Sequence, residues 1–169
     1  MTKKIVSTFA GLARDKPLIM GIVNVTPDSF SDGGETLKAE HAVTRGLAFR
    51  DQGADILDVG GESTRPGAAP VSIDEELNRV IPVVRGLADA GATVSVDTRH
   101  AQVMTAAVEA GAKIINDVTA LTGDPNSLDA AAKSGAAVIL MHMRGEPGTM
   151  QDDPVYEDAA LEVRAYLSD

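Results

Sequence analysis

Gly91-Ala92-Thr93-Val94-Ser95-Val96-Asp97 is the clearest copy of a unit that sets the fold, a Gly-Ala pair followed by an apolar run of β type. A stretch with helical periodicity comes before each copy, and glycine suits the left-handed position that ends a helix. The other copies begin at Gly53, Gly111 and Gly135. Together with a first strand, the pattern predicts strands at 18–24, 55–59, 93–97, 113–117 and 137–142.

Helices are predicted between the strands. One apolar face is formed by Ile73, Leu77, Val80, Ile81, Val84 and Leu87. Ser72 and Glu75 stand where a capping box would start this helix, and Pro82 is expected to kink or break it. The remaining helices are expected near 39–52, 101–110, 128–133 and from about 155 to the end.

The alternation of strand and helix predicts a parallel α/β sheet. The strands are mostly apolar on both faces, and the connections are too long for hairpins. An open doubly wound sheet and a β/α barrel both satisfy this pattern. No Gly-x-Gly-x-x-Gly follows the first strand, where Asn24-Val25-Thr26-Pro27-Asp28-Ser29-Phe30 stands instead, and this counts against a dinucleotide-binding fold.

The composition predicts one soluble globular domain, since 44% of the 169 residues are hydrophobic. There is no cysteine, which excludes disulfides, thiolate metal sites and a thiol nucleophile, and agrees with a cytoplasmic location. The apolar stretch after Lys3 and Lys4 is broken by Gly11, Arg14 and Asp15, so no signal peptide is expected. No run approaches the roughly 20 apolar residues of a membrane span, so no membrane partner is expected.

The charge of the chain also limits its partners. A formal net charge of −10 repels polyanions, so nucleic acid is not expected as a partner. An anionic small molecule remains compatible, because local backbone amides and one arginine outweigh a distant average field at short range.

Polar residues collect where the predicted strands end. They are Asn24, Asp58, Asp97, Asn116, Asp117 and His142. In a β/α barrel, the carboxyl ends of the strands form the active-site face. Any one of these residues, taken alone, is explained equally well as a helix cap or a turn hydrogen bond. Because every strand ends in this way, a shared site is the favoured interpretation.

Two long loops combine glycine, hydroxyl and proline residues, one over residues 25–35 and one over 60–67. Backbone amides in such loops can cradle phosphate, and Arg65 adds the means for a charge-assisted contact. Long polar loops also serve as inert connections, so the pattern leaves both readings open.

The two loops carry a family resemblance. Ile19-Met20-Gly21-Ile22-Val23-Asn24-Val25-Thr26-Pro27-Asp28-Ser29-Phe30-Ser31-Asp32-Gly33-Gly34 and Asp58-Val59-Gly60-Gly61-Glu62-Ser63-Thr64-Arg65-Pro66-Gly67 resemble the two signatures of the dihydropteroate synthases. Shorter matches follow in family order at 95–98, 114–118 and 140–143. The resemblance implies a parallel TIM-type β/α barrel. Residues 1–169 would form its pterin-binding domain, truncated on the carboxyl-terminal side, with about five of eight strands.

The family condenses 6-hydroxymethyl-7,8-dihydropterin pyrophosphate with p-aminobenzoate to 7,8-dihydropteroate and pyrophosphate, a transferase step of folate biosynthesis. The resemblance implies that Asn24 is the protein ligand of Mg²⁺. It also implies that Asp97 and Asn116 hydrogen-bond the pterin and that Asp97 stabilises positive charge on the pterin methylene. Met141 is expected to pack on the pterin face, although core packing is the commoner role of such a residue.

The loop residues receive roles in the same way. Thr64 and Arg65 match positions that approach the pyrophosphate. Asp28, Ser29 and Phe30 belong to a loop expected to close over p-aminobenzoate, and Pro66 is expected to line that pocket with Phe30. His142 is expected to orient a neighbour or to be structural, while His41 and His100 are expected on helix surfaces.

The chain departs from the family pattern towards its end. Intact members continue with an Asp-Pro-Gly segment, a Ser-Arg-Lys segment and a late Arg-x-His, none of which occurs up to Asp169. Activity of this chain alone is therefore in doubt, and a homodimer is an expectation for the complete protein only. The alternatives are an incomplete or non-catalytic pterin-binding fragment and a pterin-dependent methyltransferase domain. The Thr26-Pro27-Asp28-Ser29-Phe30 loop argues against the methyltransferase.

Overall fold

Five parallel strands organise the chain in the computed structural model, which describes residues 7–26, 35–62, 71–145, 149–150 and 153–168, with only the backbone of 35–37. A two-stranded antiparallel hairpin precedes them. The strands are β1 (Thr8–Phe9), β2 (Leu12–Ala13), β3 (Met20–Asn24), β4 (Ile56–Gly60), β5 (Val94–Asp97), β6 (Ile114–Asp117) and β7 (Ala137–Leu140). The five predicted strands are thus confirmed to within two residues at each end.

The helices follow the strands as predicted. They are α1 (Glu35–Asp51), α2 (Ile73–Asp89), α3 (Ala101–Glu109), α4 (Ser127–Ser134) and α5 (Ala159–Tyr166). The Gly-Ala pairs end the first four of these helices, and their glycines have the expected left-handed φ, at Gly53 (107°), Gly91 (78°), Gly111 (112°) and Gly135 (67°). The chain therefore leaves each of these helices in the direction of the next strand.

The order of the strands separates the two architectures that the sequence left open. The sheet runs β3-β4-β5-β6-β7, so each strand pairs with its successor along the chain. In a doubly wound sheet the strand order reverses at a switch point, and among the described strands it does not. The architecture is that of a parallel β/α barrel, of which these residues form five strands.

The main core lies between the sheet and the helices. The strands contribute Val23, Leu57, Val59, Val94, Val96 and Ile115 to it. The helices contribute Val80, Val83, Val84, Leu87, Val103, Met104 and Ala107. Since side chains alternate between the two faces of a strand, residues such as Asp58, Asp97 and Asn116 lie on the opposite, inner face of the sheet.

Local structure differs from the sequence predictions in helices α1, α2 and α5. Helix α2 runs through Pro82 without a break; Pro82 is exposed, so solvent can reach the Asn78 carbonyl that loses its helical donor. The Ser72 hydroxyl accepts from the Glu75 amide at 3.3 Å, but the Glu75 carboxylate pairs with Arg79 and does not complete the reciprocal capping box. Two helices begin four residues from their expected starts: α1 begins earlier, at Glu35, and α5 begins later, at Ala159.

The β1–β2 hairpin was not predicted. Ala10 (φ 49°) and Gly11 (φ 83°) form its two-residue turn, and both have the positive φ that a type I′ turn requires. The strands have two residues each, too few to show an alternating pattern. A sequence without Asn-Gly or Asp-Gly at the turn gave no signal for it.

Both edges of the sheet are apolar. Within the described residues, β3 and β7 pair on one side only, as the incomplete barrel predicted from the sequence requires. Ile19 is 60% exposed and Ile22 is 53% exposed beside or within β3, and Leu140 is 37% exposed at the end of β7. Unpaired apolar edges of this kind favour pairing with other chains.

We expect the 169-residue segment, expressed by itself, to self-associate or remain partly molten, because its edges and inner face stay in contact with water. Ile22→Lys should reduce the self-association, since a charge on an edge strand opposes strand addition. Leu128→Lys, at a 65% exposed position on α4 and outside both edge strands, is the matched control. Sedimentation and a thermal melt provide the measurement; a cooperative, monomeric melt of the unmodified segment would contradict the expectation.

No helix among the described residues combines the length and the apolar character needed to span a bilayer.

Candidate active site

One row of residues crosses the sheet at the carboxyl ends of the strands. Asn24 on β3 is paired in register with Gly60 on β4, Gly60 with Asp97 on β5, Asp97 with Asn116 on β6, and Asn116 with Ile139 on β7. Residues in register on parallel strands point to the same face. The structure therefore brings Asn24, Asp97 and Asn116 to one edge of the inner face, as predicted from their strand-end positions.

Gly60 and Asp97 are neighbours in this row. A Cβ placed on Gly60 would lie 3.5 Å from both the Cβ and Oδ2 of Asp97, so the Asp97 carboxylate lies directly beside the Gly60 backbone. The Asn24 side chain at the end of the row is exposed, and those of Asp97 and Asn116 are half-buried. These polar groups are accessible from the carboxyl-terminal side while the sheet holds them in place.

Asp58 lies two residues before Gly60, on the same face and one layer deeper. It is 2% exposed, and its Oδ2 accepts a hydrogen bond from Asn116 Nδ2 at 3.1 Å. This bond fixes the orientation of the Asn116 amide. The sequence marked Asp58 as a polar strand residue but gave it no role, and its bond joins residues 58 positions apart in the chain.

Two buried oxygens in this layer have no hydrogen-bond partner among the described residues, Asp58 Oδ1 and Ser95 Oγ. Burial raises the pKa of Asp58, against the nearby Ser95 hydroxyl and Asn116 amide, which lower it. The Ser95 hydroxyl is close enough to act on this pKa but does not reach normal hydrogen-bond geometry. The layer below Asp97 therefore carries a carboxyl group that is only partly satisfied.

Among the described residues, Asp97 is the acidic residue whose pKa departs furthest from its usual value. Burial first, and then the negative charges of Asp58, Asp117, Glu76 and Glu62, raise its pKa from 3.8 to about 7. A carboxyl group with this pKa exchanges a proton near neutral pH. Such a group can accept a hydrogen bond from a ligand N–H, and it gains most from a ligand that brings positive charge.

Two of the polar strand-end residues have structural roles instead. Asp117 is buried on the other face, where its Oδ1 accepts from the Thr119 amide and hydroxyl, both at 2.7 Å, and its Oδ2 accepts from the Leu121 amide at 3.0 Å. The His142 ring packs edge-on against Tyr166, with ring centroids 4.8 Å apart. Asp117 shapes the β6–α4 turn, and His142 joins the end of β7 to α5, as a structural residue would.

The remaining predicted site residues divide into two groups. Met141 is half-buried one residue beyond β7, and its amide donates to the Asp117 carbonyl at 3.3 Å, which holds it at the same edge of the sheet. The others lie outside the described residues, so their predicted roles stay predictions. They are Asp28, Ser29, Phe30, Thr64, Arg65 and Pro66.

The described residues contain no cluster of three or more His, Cys, Asp or Glu side chains that could hold a metal ion by themselves. Asn24 offers one exposed amide oxygen at the carboxyl-terminal edge. Mg²⁺ tolerates a shell in which few ligands come from protein and the others are water and phosphate oxygens. The donor set is therefore compatible with a magnesium ion that arrives with a phosphate-containing substrate.

Two side-chain pairs beyond the strand ends were not predicted from the sequence. Arg99 binds Glu62 through two hydrogen bonds of 3.0 Å, and His100 Nδ1 lies 2.6 Å from Glu76 Oε2. His100, expected on a helix surface, has a side chain only 18% exposed, and Glu76 is fully buried. One signal was present: Glu76 falls on the apolar face of α2 with Val80, Val83 and Leu87, where a glutamate is unusual.

The comparisons with known proteins agree with this geometry. Residues 20–169 match the family model described as pterin binding enzyme, which covers most of the chain. The chain belongs to the pterin-binding enzyme family. The sheet that carries Asn24, Asp97 and Asn116 lies within the matched region.

Individual relatives are similarly consistent. The dihydropteroate synthase of Escherichia coli strain K12 is 51% identical over 152 residues, which is 89% of this chain and 54% of that protein. A Yersinia pestis dihydropteroate synthase in complex with a sulfonamide drug superposes with a TM-score of 0.85 at 47% identity, covering 97% of this chain and 60% of that one. A Xanthomonas albilineans dihydropteroate synthase with 4-aminobenzoic acid gives 0.83 at 52% identity, covering 94% and 57%. The chain thus spans about half the length of the curated relatives it matches.

Proposed function

We propose that the protein to which these residues belong is a dihydropteroate synthase, which joins 6-hydroxymethyl-7,8-dihydropterin pyrophosphate to p-aminobenzoate. The observation that carries the proposal is the row of Asn24, Asp97 and Asn116 at one edge of a parallel barrel sheet. Support comes from a relative named dihydropteroate synthase that is 51% identical to this chain, and from a similar structure solved with 4-aminobenzoic acid. Because the chain covers about half of those relatives, the activity is proposed for the complete barrel.

Asp97 and Asn116 bind the pterin in this proposal. Asn116 is oriented by Asp58 and presents both a donor and an acceptor to a ring edge that carries both. The ionised Asp97 carboxylate accepts from pterin N–H groups. Met141 lies at the same edge and would pack against the ring.

The reaction forms a C–N bond between the p-aminobenzoate amine and the pterin methylene, while the C–O bond to pyrophosphate breaks and the amine loses a proton. As the C–O bond lengthens, positive charge develops on the pterin. Asp97 stabilises that charge from a fixed position in a half-buried site, where electrostatic interactions are stronger than in water. The same charge lowers the pKa of Asp97 and so favours its ionised form.

Asn24 would hold Mg²⁺ together with pyrophosphate and water oxygens. When bound, the ion supplies positive charge that neutralises the leaving pyrophosphate. Thr64 and Arg65 are proposed for the pyrophosphate side, and Asp28, Ser29, Phe30 and Pro66 for the p-aminobenzoate side. These assignments and the homodimer rest on the sequence resemblance, and the cytoplasmic location rests on the absence of cysteine.

The test is product formation by the full-length protein that contains these residues. With Mg²⁺, pterin pyrophosphate and p-aminobenzoate, we expect dihydropteroate and pyrophosphate in equal amounts. Omitting p-aminobenzoate should abolish dihydropteroate. Pterin binding without product would indicate a non-catalytic pterin-binding protein, and methyl transfer to or from a pterin would indicate the methyltransferase; either outcome overturns the proposal.

A further inference from the structure

The Glu62 carboxylate joins two loops at the carboxyl-terminal side of the sheet. Its Oε2 accepts from Arg99 Nε and its Oε1 from the terminal Arg99 nitrogen, both at 3.0 Å. Oε1 also accepts from the Val71 amide at 3.4 Å. The Arg99 side chain is 34% exposed and the Glu62 side chain is 14% exposed. The ion pair therefore has two hydrogen bonds and is partly shielded from water.

The position of this pair relates it to the site. Gly60 and Asp97 are in register, with the Asp97 carboxylate beside the Gly60 backbone. Glu62 and Arg99 each lie two residues beyond these positions, where the strands have ended. The ion pair therefore links the two chain segments just past the last β4–β5 register pair, on the carboxyl-terminal side of Asp97.

The backbone at Gly61, next to Glu62, is held by helix α2. Arg79 donates to the Gly61 carbonyl at 3.1 Å, and a Cβ on Gly61 would come within 2.7 Å of Val80 Cγ2 and 3.1 Å of Glu76 Cγ. Glu76 in turn lies 2.6 Å from His100, the neighbour of Arg99. Gly61 is thus packed against α2, and the adjoining Glu62 is bound to Arg99.

We propose that Glu62 and Arg99 are positioning residues, whose ion pair fastens residues 61–62, directly after β4, to the segment after β5 and so fixes Asp97 relative to the bound substrate. The kinetic part of this inference rests on the proposed function. A guanidinium makes both bonds with one planar group, whereas a lysine ammonium supplies a point charge without the fork. A small displacement of a reacting group is enough to lower turnover strongly.

The variants Arg99→Met, Arg99→Lys and Glu62→Gln test the inference in the full-length protein. We expect kcat to fall about tenfold or more in Arg99→Met, since positioning acts on the reacting geometry, with a smaller loss in Arg99→Lys. The double variant Glu62→Arg with Arg99→Glu should recover part of the loss. Lys133→Met, which removes a 77% exposed pair with Asp129 on α4, is the control and should change nothing.

The pH profile separates positioning from a general loss of structure. Glu62 is one of the charges that raise the pKa of Asp97, together with Asp58, Asp117 and Glu76. Glu62→Gln should therefore move the acid limb of kcat/KM to lower pH. Arg99→Met leaves the Glu62 charge uncompensated and should move it to higher pH. Equal losses in both variants with an unmoved limb would overturn the inference.

Hydrogen exchange tests the ion pair without requiring enzymatic turnover, so its outcome does not depend on the proposed function. Hydrogen exchange over residues 60–62 and at the Val71 amide should become faster in Arg99→Met and stay unchanged in Lys133→Met. If the parent protein makes no dihydropteroate, the proposed function fails while exchange still tests the pair. Unchanged exchange in Arg99→Met would show that the pair does not hold the loop.

Discussion

Asp97→Asn should lower kcat of the full-length protein by about 10²-fold or more while leaving the fold intact, because it removes a preorganised negative charge and keeps the shape of the side chain. The amide still fits beside Gly60, whose backbone borders the Asp97 side chain. The measurement is steady-state turnover of pterin pyrophosphate and p-aminobenzoate. Turnover within a few-fold of the parent would rule out the electrostatic role.

The pH dependence of the parent should report the same group. With the pKa of Asp97 raised to about 7, kcat/KM should rise with pH below that value and level off above it, because the ionised form is the active one. The limb should be absent in Asp97→Asn. A flat profile in the parent between pH 5 and 8 would contradict the assignment.

The stability of the same variant provides the control for its fold. The pKa of Asp97 is raised from 3.8 to about 7, so proton binding adds stability that is fully present below the unfolded value and is lost as pH rises through the folded one. Above pH 7 the parent holds a carboxylate among like charges, which Asn removes. We expect the Tm of Asp97→Asn to exceed that of the parent at pH 8, by about 5 °C, and the advantage to shrink towards pH 4.

The sequence was sufficient for the parts of the fold that depend on local pattern. Strands and helices follow from period and from the glycines that end the helices, so β4, β5, β6 and β7 were placed closely. The choice between barrel and doubly wound sheet depends on strand order, which is a long-range property, and only the structure or the family resemblance supplies it. The β1–β2 hairpin is a local element, but it was not predicted because two-residue strands are too short to show an alternating pattern.

The candidate site was predictable where its residues terminate strands. Asn24, Asp97 and Asn116 were identified because carboxyl strand ends share one face, and register then placed them in one row. Asp117 also stands at the end of its strand, but it directly follows Asn116. Because side chains alternate along a strand, Asp117 points to the other face. The pairs Glu62–Arg99 and Glu76–His100 join residues 37 and 24 positions apart, so no local pattern could pair them.

The pair of Glu76 and His100 should be the most sensitive structural element of this region. Glu76 is fully buried, its Oε2 lies 2.6 Å from His100 Nδ1, and its Oε1 has no partner among the described residues. His100→Ala would leave a buried carboxyl group with no partner at either oxygen. Removing one member of a buried pair typically costs about 3–5 kcal/mol, which we expect as the loss in free energy of unfolding.

Urea unfolding of the full-length protein at pH 7 measures this loss, with Lys133→Ala as the control for an exposed pair, where a change of about 0.5 kcal/mol or less is expected.

The double variant Glu76→Met with His100→Leu sharpens the test. Apolar residues of similar size often replace a buried pair of polar or charged groups without loss, so the double variant should be close to the parent in stability and well above His100→Ala. If His100→Ala unfolds like the parent, the carboxyl group has found another partner or water, and the pair does not support the base of the candidate site. If the double variant is as unstable as His100→Ala, the polar contact itself, and not the relief of an unpaired carboxyl group, stabilises the packing of α2 against the loop that follows β5.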